Sequence, residues 1–138
     1  MIVFGTRPEA IKLAPLVMAV RRSNDFTPIV CVFRQHKEMM DQVLSVFNLK
    51  PDFDLPISIS DRALFGHGIN VFSKFKSIFE SGFGLLKFLR ILHGEKPEIL
   101  IVQGDTFTAF LASLLAFYCR VKVGHVEAGL RTNNKLNP

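Results

Sequence analysis

Asp105 and Glu127 are two acids placed where a sheet edge could use them. Each follows a short apolar run of the kind a parallel sheet buries on both faces: Ile99-Leu100-Ile101-Val102 runs into Gln103-Gly104-Asp105, and Val121-Lys122-Val123-Gly124-His125-Val126 runs into Glu127. A helix from about Thr106 to Tyr118 lies between them. It is apolar on most sides (Phe107, Phe110, Leu111, Leu114, Leu115, Phe117), so it must lie on the sheet. A strand, a crossover helix and a second strand form a right-handed unit, and consecutive strands are usually neighbours. The two acids then share the carboxyl edge of one sheet, roughly 5 to 10 Å apart. Carboxylates held there can have their pKa values pushed apart, leaving one to act as acid and the other as base. The spacing leaves a plainer reading open: Asp105, or Thr106 beside it, caps the helix, and Glu127 is a solvated strand end.

The basic candidates lie near the start of the chain. Thr6 and Glu9 have capping-box spacing and Pro8 suits a first helical turn, so a helix begins here. Its N-terminus would attract an anion, and Arg7 adds a fork of donors that fits a phosphate. Lys12 lies about a turn further on and either reaches the same ligand or points elsewhere. Both residues read equally well as surface charges on a capped helix. Arg34-Gln35-His36 forms the loop after a second strand, Thr27 to Phe33, which makes His36 a ligand candidate or a solvated loop histidine. His67 and His93 have no partners at metal-ligand spacing. Cys31 and Cys119 read as small core residues, and with no CxxC or Cys/His cluster neither a disulfide nor a metal site is indicated.

The elements that must position these residues make up one domain. Its 138 residues, 49% hydrophobic with 14 Phe, can bury a real core. The strand Met1 to Phe4 is followed by the first helix, which Pro15 should kink and Arg21 to Asp25 should end. A helix over Lys37 to Phe47 comes next, then an extended Pro51 to Ser60. The stretch from Asp61 to Lys96 is the least legible: a helix over Ile69 to Phe79 with Phe72, Phe75 and Phe79 on one face, a break at Ser81-Gly82-Phe83-Gly84, and a short helix over Leu85 to His93. This order predicts a doubly wound α/β fold with a mostly parallel sheet. The net charge of +5 favours an anionic partner, but the 17 Lys and Arg are scattered, which points to a small phosphorylated ligand over nucleic acid. No apolar run reaches the ~18 residues of a membrane helix and no signal peptide is evident, so no membrane role is expected and the cytoplasm is the default.

Three stretches resemble the non-hydrolysing UDP-N-acetylglucosamine 2-epimerases. They are Phe4 to Lys12 (FGTRPEAIK) with Ala14-Pro15-Leu16-Val17, Gln35-His36 with Met39 and Asp41-Gln42-Val43-Leu44, and Gln103-Gly104-Asp105-Thr106 together with Gly124 to Thr132 (GHVEAGLRT). The resemblance implies that residues 1–138 form a Rossmann-like N-terminal half of a glycosyltransferase-B architecture, with a nucleotide-sugar bound between two halves and no cofactor. It implies interconversion of UDP-GlcNAc and UDP-ManNAc: the C2 proton is removed, UDP is eliminated, and UDP adds back with the proton on the other face. Asp105 and Glu127 match two carboxylates of those proton transfers. Arg7 matches a residue near the diphosphate, Lys12 and Arg131 match basic residues of the active-site region, and Gln35-His36 resembles a segment that binds a regulatory UDP-sugar in some members.

In the family, the pattern continues beyond Thr132 into a further catalytic glutamate and a nucleotide-binding C-terminal domain. The sequence ends at Pro138, so the resemblance implies that this domain is absent from the chain or separately encoded, that the chain alone does not turn over, and that it forms a homodimer. Two alternatives remain at this point. One is a non-catalytic fragment that dimerises or binds a partner through its Phe-rich middle; the other is a glycosyltransferase half, against which the acid pair counts.

Overall fold

The computed structural model of the chain describes residues 1–34, 37–57 and 71–129; for Lys37 and residues 71–81 it describes the backbone alone. Five strands and four helices are found there: β1 Ile2–Phe4, α1 Arg7–Arg22, β2 Val30–Phe33, α2 Lys37–Val46, β3 Phe53–Leu55, α3 Val71–Glu95, β4 Ile99–Gln103, α4 Phe107–Tyr118 and β5 Lys122–Val126. The strands form one sheet in the order β3-β2-β1-β4-β5. Every pairing is parallel. The expected doubly wound α/β fold is what the chain adopts.

Central β1 is only three residues long, but all three are buried. Alternate side chains of a strand enter opposite layers. Ile2 and Phe4, with Val30 and Val32, face α1 and α2, where Leu13, Val17, Met40 and Val43 complete the layer. Val3, Cys31 and Phe33 face the other way and meet Phe88 and Leu92 of α3 and Ala109 and Ala112 of α4. The helices therefore cover both faces, which is why the strands read as continuous apolar runs. The strand order reverses at the β1/β4 junction, and ligands of such sheets bind outside the strand carboxyl ends at that point. The loops that begin at Gly5 and Gly104 open there.

Some element boundaries differ from the sequence reading. Strand pairing starts at Val30 in place of Thr27 and is confined to Phe53–Leu55 within the extended segment. Helix α1 runs through Pro15 to Arg22. The expected break at Ser81 to Gly84 is absent, since α3 is continuous from Val71 to Glu95. The reason is close packing: a Cβ on Gly84 would lie 2.5 Å from Ile57 Cγ1, so this glycine brings the helix against the segment after β3. The Phe72, Phe75 and Phe79 stripe and His67 lie outside the described side chains. No helix among the described residues is long and apolar enough to cross a membrane.

Gly5 is held by its surroundings. A Cβ there would stand 2.3 Å from Thr108 Oγ1 and 2.8 Å from the Phe33 carbonyl oxygen, a backbone atom that cannot turn aside. Gly5→Ala is expected to lower the unfolding free energy by about 1–3 kcal/mol. Gly94→Ala, with open space around its Cβ inside α3, should raise it by about 0.5–1 kcal/mol. Urea titration of both variants checks the pair of signs.

Candidate active site

Strands β4 and β5 pair over five positions, from Ile99 opposite Lys122 to Gln103 opposite Val126. Glu127 thus follows directly on the end of β5, beside the residue that ends β4. Its backbone turns into the left-handed region at φ 61°, a conformation that costs a non-glycine residue about 1–2 kcal/mol. The side chain is held from two directions. The buried Gln103 amide donates to Glu127 Oε2, and Lys12 Nζ donates to the same oxygen at 2.5 Å. The Lys12 ammonium, with help from the Gln103 amide, holds the Glu127 carboxyl below the usual glutamate range. As the pair is well exposed, at 48% and 36%, it fixes position more than it adds stability.

Asp105 has different surroundings. Gly104 turns the chain at φ 73°, donating its N–H to the Val126 carbonyl at 3.1 Å while its own carbonyl accepts from His125 Nε2 at 2.8 Å. These two bonds stitch the β4 loop to β5. Thr106 caps α4, its Oγ1 accepting the Ala109 N–H at 3.1 Å. The cap is therefore Thr106, and Asp105 is exposed with no hydrogen bond or ion pair among the described residues. It borders a cleft of about 510 Å³ whose wall includes Phe110, Leu114 and His125. The strands carrying the two acids are neighbours, as expected, and no hydrogen bond joins the acids.

The start of α1 departs from the expected anion cradle. The carboxylate of Glu9, 1% exposed, turns back beneath the turn, where Oε2 accepts from the Gly5 N–H at 2.6 Å and the Thr6 N–H at 2.9 Å. Both amides are thereby taken from any ligand, and Pro8 has none to offer. Arg7 at this turn is exposed and makes no hydrogen bond or ion pair among the described residues. Lys12 points to Glu127, which settles its orientation. Gln35, His36 and Arg131 lie outside the described residues.

Three contributors were named in the sequence but given no role of their own. Gln103 is a polar residue closing an apolar strand, a signal that was present. His125 reads as one more strand residue until its ring is seen to reach Gly104. Arg34 binds Asp54 through Nε at 2.8 Å and through Nη2, and reaches Asp41 with Nη1 at 2.5 Å, tying the end of β2 to β3 and α2. Near the amino ends of β4 and β5, Cys119 Sγ lies 3.8 Å from His93 Nδ1, a meeting of α4 and α3 that sequence spacing cannot show. Cys31 is buried as expected, which pushes its thiol far up.

Because the Glu127 pKa is depressed, any stability linked to it is present above the unfolded-state value and is lost as pH falls through the folded-state value. Lys12→Met should move the Glu127 carboxyl back up toward the ordinary glutamate value. Carbon-detected NMR titration of the side-chain carboxyl checks this, and an unchanged midpoint would show that Lys12 is not the controlling cation.

The comparisons with known proteins bear on the whole chain. The model of a family described as UDP-N-acetylglucosamine 2-epimerase matches residues 18–138. The chain is 48% identical over 136 residues to the putative UDP-N-acetylglucosamine 2-epimerase of Thermotoga maritima, covering 99% of this chain and 32% of the relative. It is 45% identical to the Bacillus subtilis UDP-N-acetylglucosamine 2-epimerase, over 100% of this chain and 33% of the relative. A crystal structure of a UDP-N-acetylglucosamine 2-epimerase superposes with a TM-score of 0.78 at 45% identity, covering 100% of this chain and 35% of that one. The Neisseria meningitidis UDP-GlcNAc 2-epimerase bound to UDP-GlcNAc gives 0.74 at 41% identity, covering 99% and 34%. The chain spans about a third of the length of the relatives it matches. With its parallel sheet, its matched structures and a family model covering most of its residues, the chain belongs to the UDP-N-acetylglucosamine 2-epimerase family.

Proposed function

We propose that this chain supplies the proton-transfer edge of an enzyme that interconverts UDP-GlcNAc and UDP-ManNAc. The observation that carries the reading is the Glu127 carboxylate, held ionised by Lys12 and Gln103 beside a free Asp105 at the strand carboxyl ends. A base must be ionised at working pH and within reach of the substrate, and a second acid must exchange a proton on the opposite face. Asp105 and Glu127 divide these tasks. Removing the C2 proton and expelling UDP gives an unsaturated sugar, and re-addition of UDP with a proton on the other face inverts C2. Arg7 neutralises charge on the departing diphosphate, and Arg131 adds a further cation. Gln35 and His36 belong to a regulatory UDP-sugar contact.

Support for a UDP-sugar ligand comes from relatives, one solved with UDP-GlcNAc and another, from S. aureus, with UDP. Because the chain spans a third of such proteins, the site as proposed is completed by the further two-thirds, in the same polypeptide or in a separate one, and the working assembly is a homodimer.

A chimaera carrying this chain in place of the matching third of the Bacillus subtilis relative tests the reading. In deuterated water it should convert UDP-GlcNAc to its C2 epimer with deuterium at C2. Asp105→Asn and Glu127→Gln should each lower kcat by about 100-fold or more, and the 138-residue chain alone should show no turnover. Epimerisation by the isolated chain, or full activity in both variants, would sink the proposal.

A further inference from the structure

A cavity of about 330 Å³ lies at the amino ends of β4 and β5, across the sheet from Asp105 and Glu127. Two distant segments meet in its wall. The end of α3 contributes His93 and Lys96, and the end of α4 contributes Cys119 and Arg120, with Leu92 and Val121 as apolar lining. Lys96 and Arg120 each close a helix in the left-handed conformation, at φ 44° and 59°. Their N–H groups return to the Leu92 carbonyl at 3.1 Å and the Phe117 carbonyl at 3.0 Å. Glycine ordinarily fills such a position; here each holds a cation. Part of that charge offsets the negative ends of the two helices, about half a unit apiece. Two full cations exceed this, and neither Glu95 nor Glu98 lines the cavity.

The thiol in this basic wall has a partner from the other segment. His93 Nδ1 stands 3.1 Å from the Leu89 carbonyl oxygen, which can only accept, so Nδ1 carries a hydrogen. The same N–H faces Cys119 Sγ at 3.8 Å. Cys119 is half-buried and reaches the cavity, whereas Cys31 is buried in the core. The sequence reading had placed both cysteines in the core.

We propose that this cavity is a thiol modification site, in which Cys119 forms a mixed disulfide with a low-molecular-weight disulfide whose carboxylates are held by Lys96 and Arg120. The Cys119 thiol gives up its proton and its sulfur attacks one sulfur of the bound disulfide. The S–S bond of the small molecule breaks, and the half that departs takes a proton and leaves as a thiol. The Cys119 sulfur is oxidised and the departing sulfur is reduced, so no other oxidant is needed. His93 and the two cations steady the negative charge that passes through sulfur. A metal ion is the less fitting occupant, since no group of three His, Cys, Asp or Glu able to hold one occurs among the described residues. The site is separate from the sheet edge proposed for proton transfer and does not depend on that reading.

Exchange kinetics in the 138-residue chain test this. The probes are oxidised glutathione, a net anion, and cystamine, a cation. Each rate at Cys119, read by mass spectrometry after digestion, is divided by the rate of a synthetic peptide of residues 116–122, which keeps the local sequence without the cavity. The ratio for oxidised glutathione should exceed that for cystamine by about 10-fold or more, and the gap should close at about 1 M salt. Lys96→Gln together with Arg120→Gln should abolish the preference, and His93→Phe should slow both probes alike, by about 10-fold. All three side chains are exposed, and circular dichroism checks that the variants stay folded. Equal ratios for the two probes, a glutathione ratio below one, or a preference that survives the double variant overturns the proposal. So does modification of Cys31 ahead of Cys119.

Discussion

The fold hangs on three residues that are buried from both sides. Ile2, Val3 and Phe4 form the centre of the sheet, and each is at most 2% exposed. Their alternate side chains anchor two separate layers, and their backbone pairs with β2 on one flank and β4 on the other. A strand this short gains little from its own hydrogen bonds, so its stability comes from the apolar area removed from water on both faces. Once it is fixed, the reversal of strand order between β1 and β4 is fixed as well, and with it the place where loops part to admit a ligand.

At that place neighbouring residues divide the polar tasks between them. Thr106 takes the capping task that would otherwise occupy Asp105, and Glu9 takes the turn amides that would otherwise face a ligand. Gln103 and Lys12, from β4 and α1, converge on one oxygen of Glu127. The pair with Lys12 is exposed, so it fixes where the carboxylate stands and keeps it charged, while burial elsewhere supplies the stability. The left-handed backbone at Glu127 fits the same pattern, since a strained residue is kept only where its surroundings hold it there.

The amino-acid sequence by itself determined the parallel α/β arrangement, the buried strands, the helix starts and the placement of Asp105 and Glu127 at one sheet edge. These follow from periodicity and from the right-handed crossover rule, which act over short stretches of chain. The long helix α3 was misread because Gly82 and Gly84 look like a break in isolation, while the packing of Gly84 against Ile57 is a contact between segments distant in the chain. For the same reason only the tertiary structure decided that Lys12 turns to Glu127 across 115 positions of sequence, that His125 bridges to Gly104, and that Arg34 joins three elements. Such partners are set by which side chains the completed sheet brings within about 3 Å of one another, and no local pattern encodes that distance.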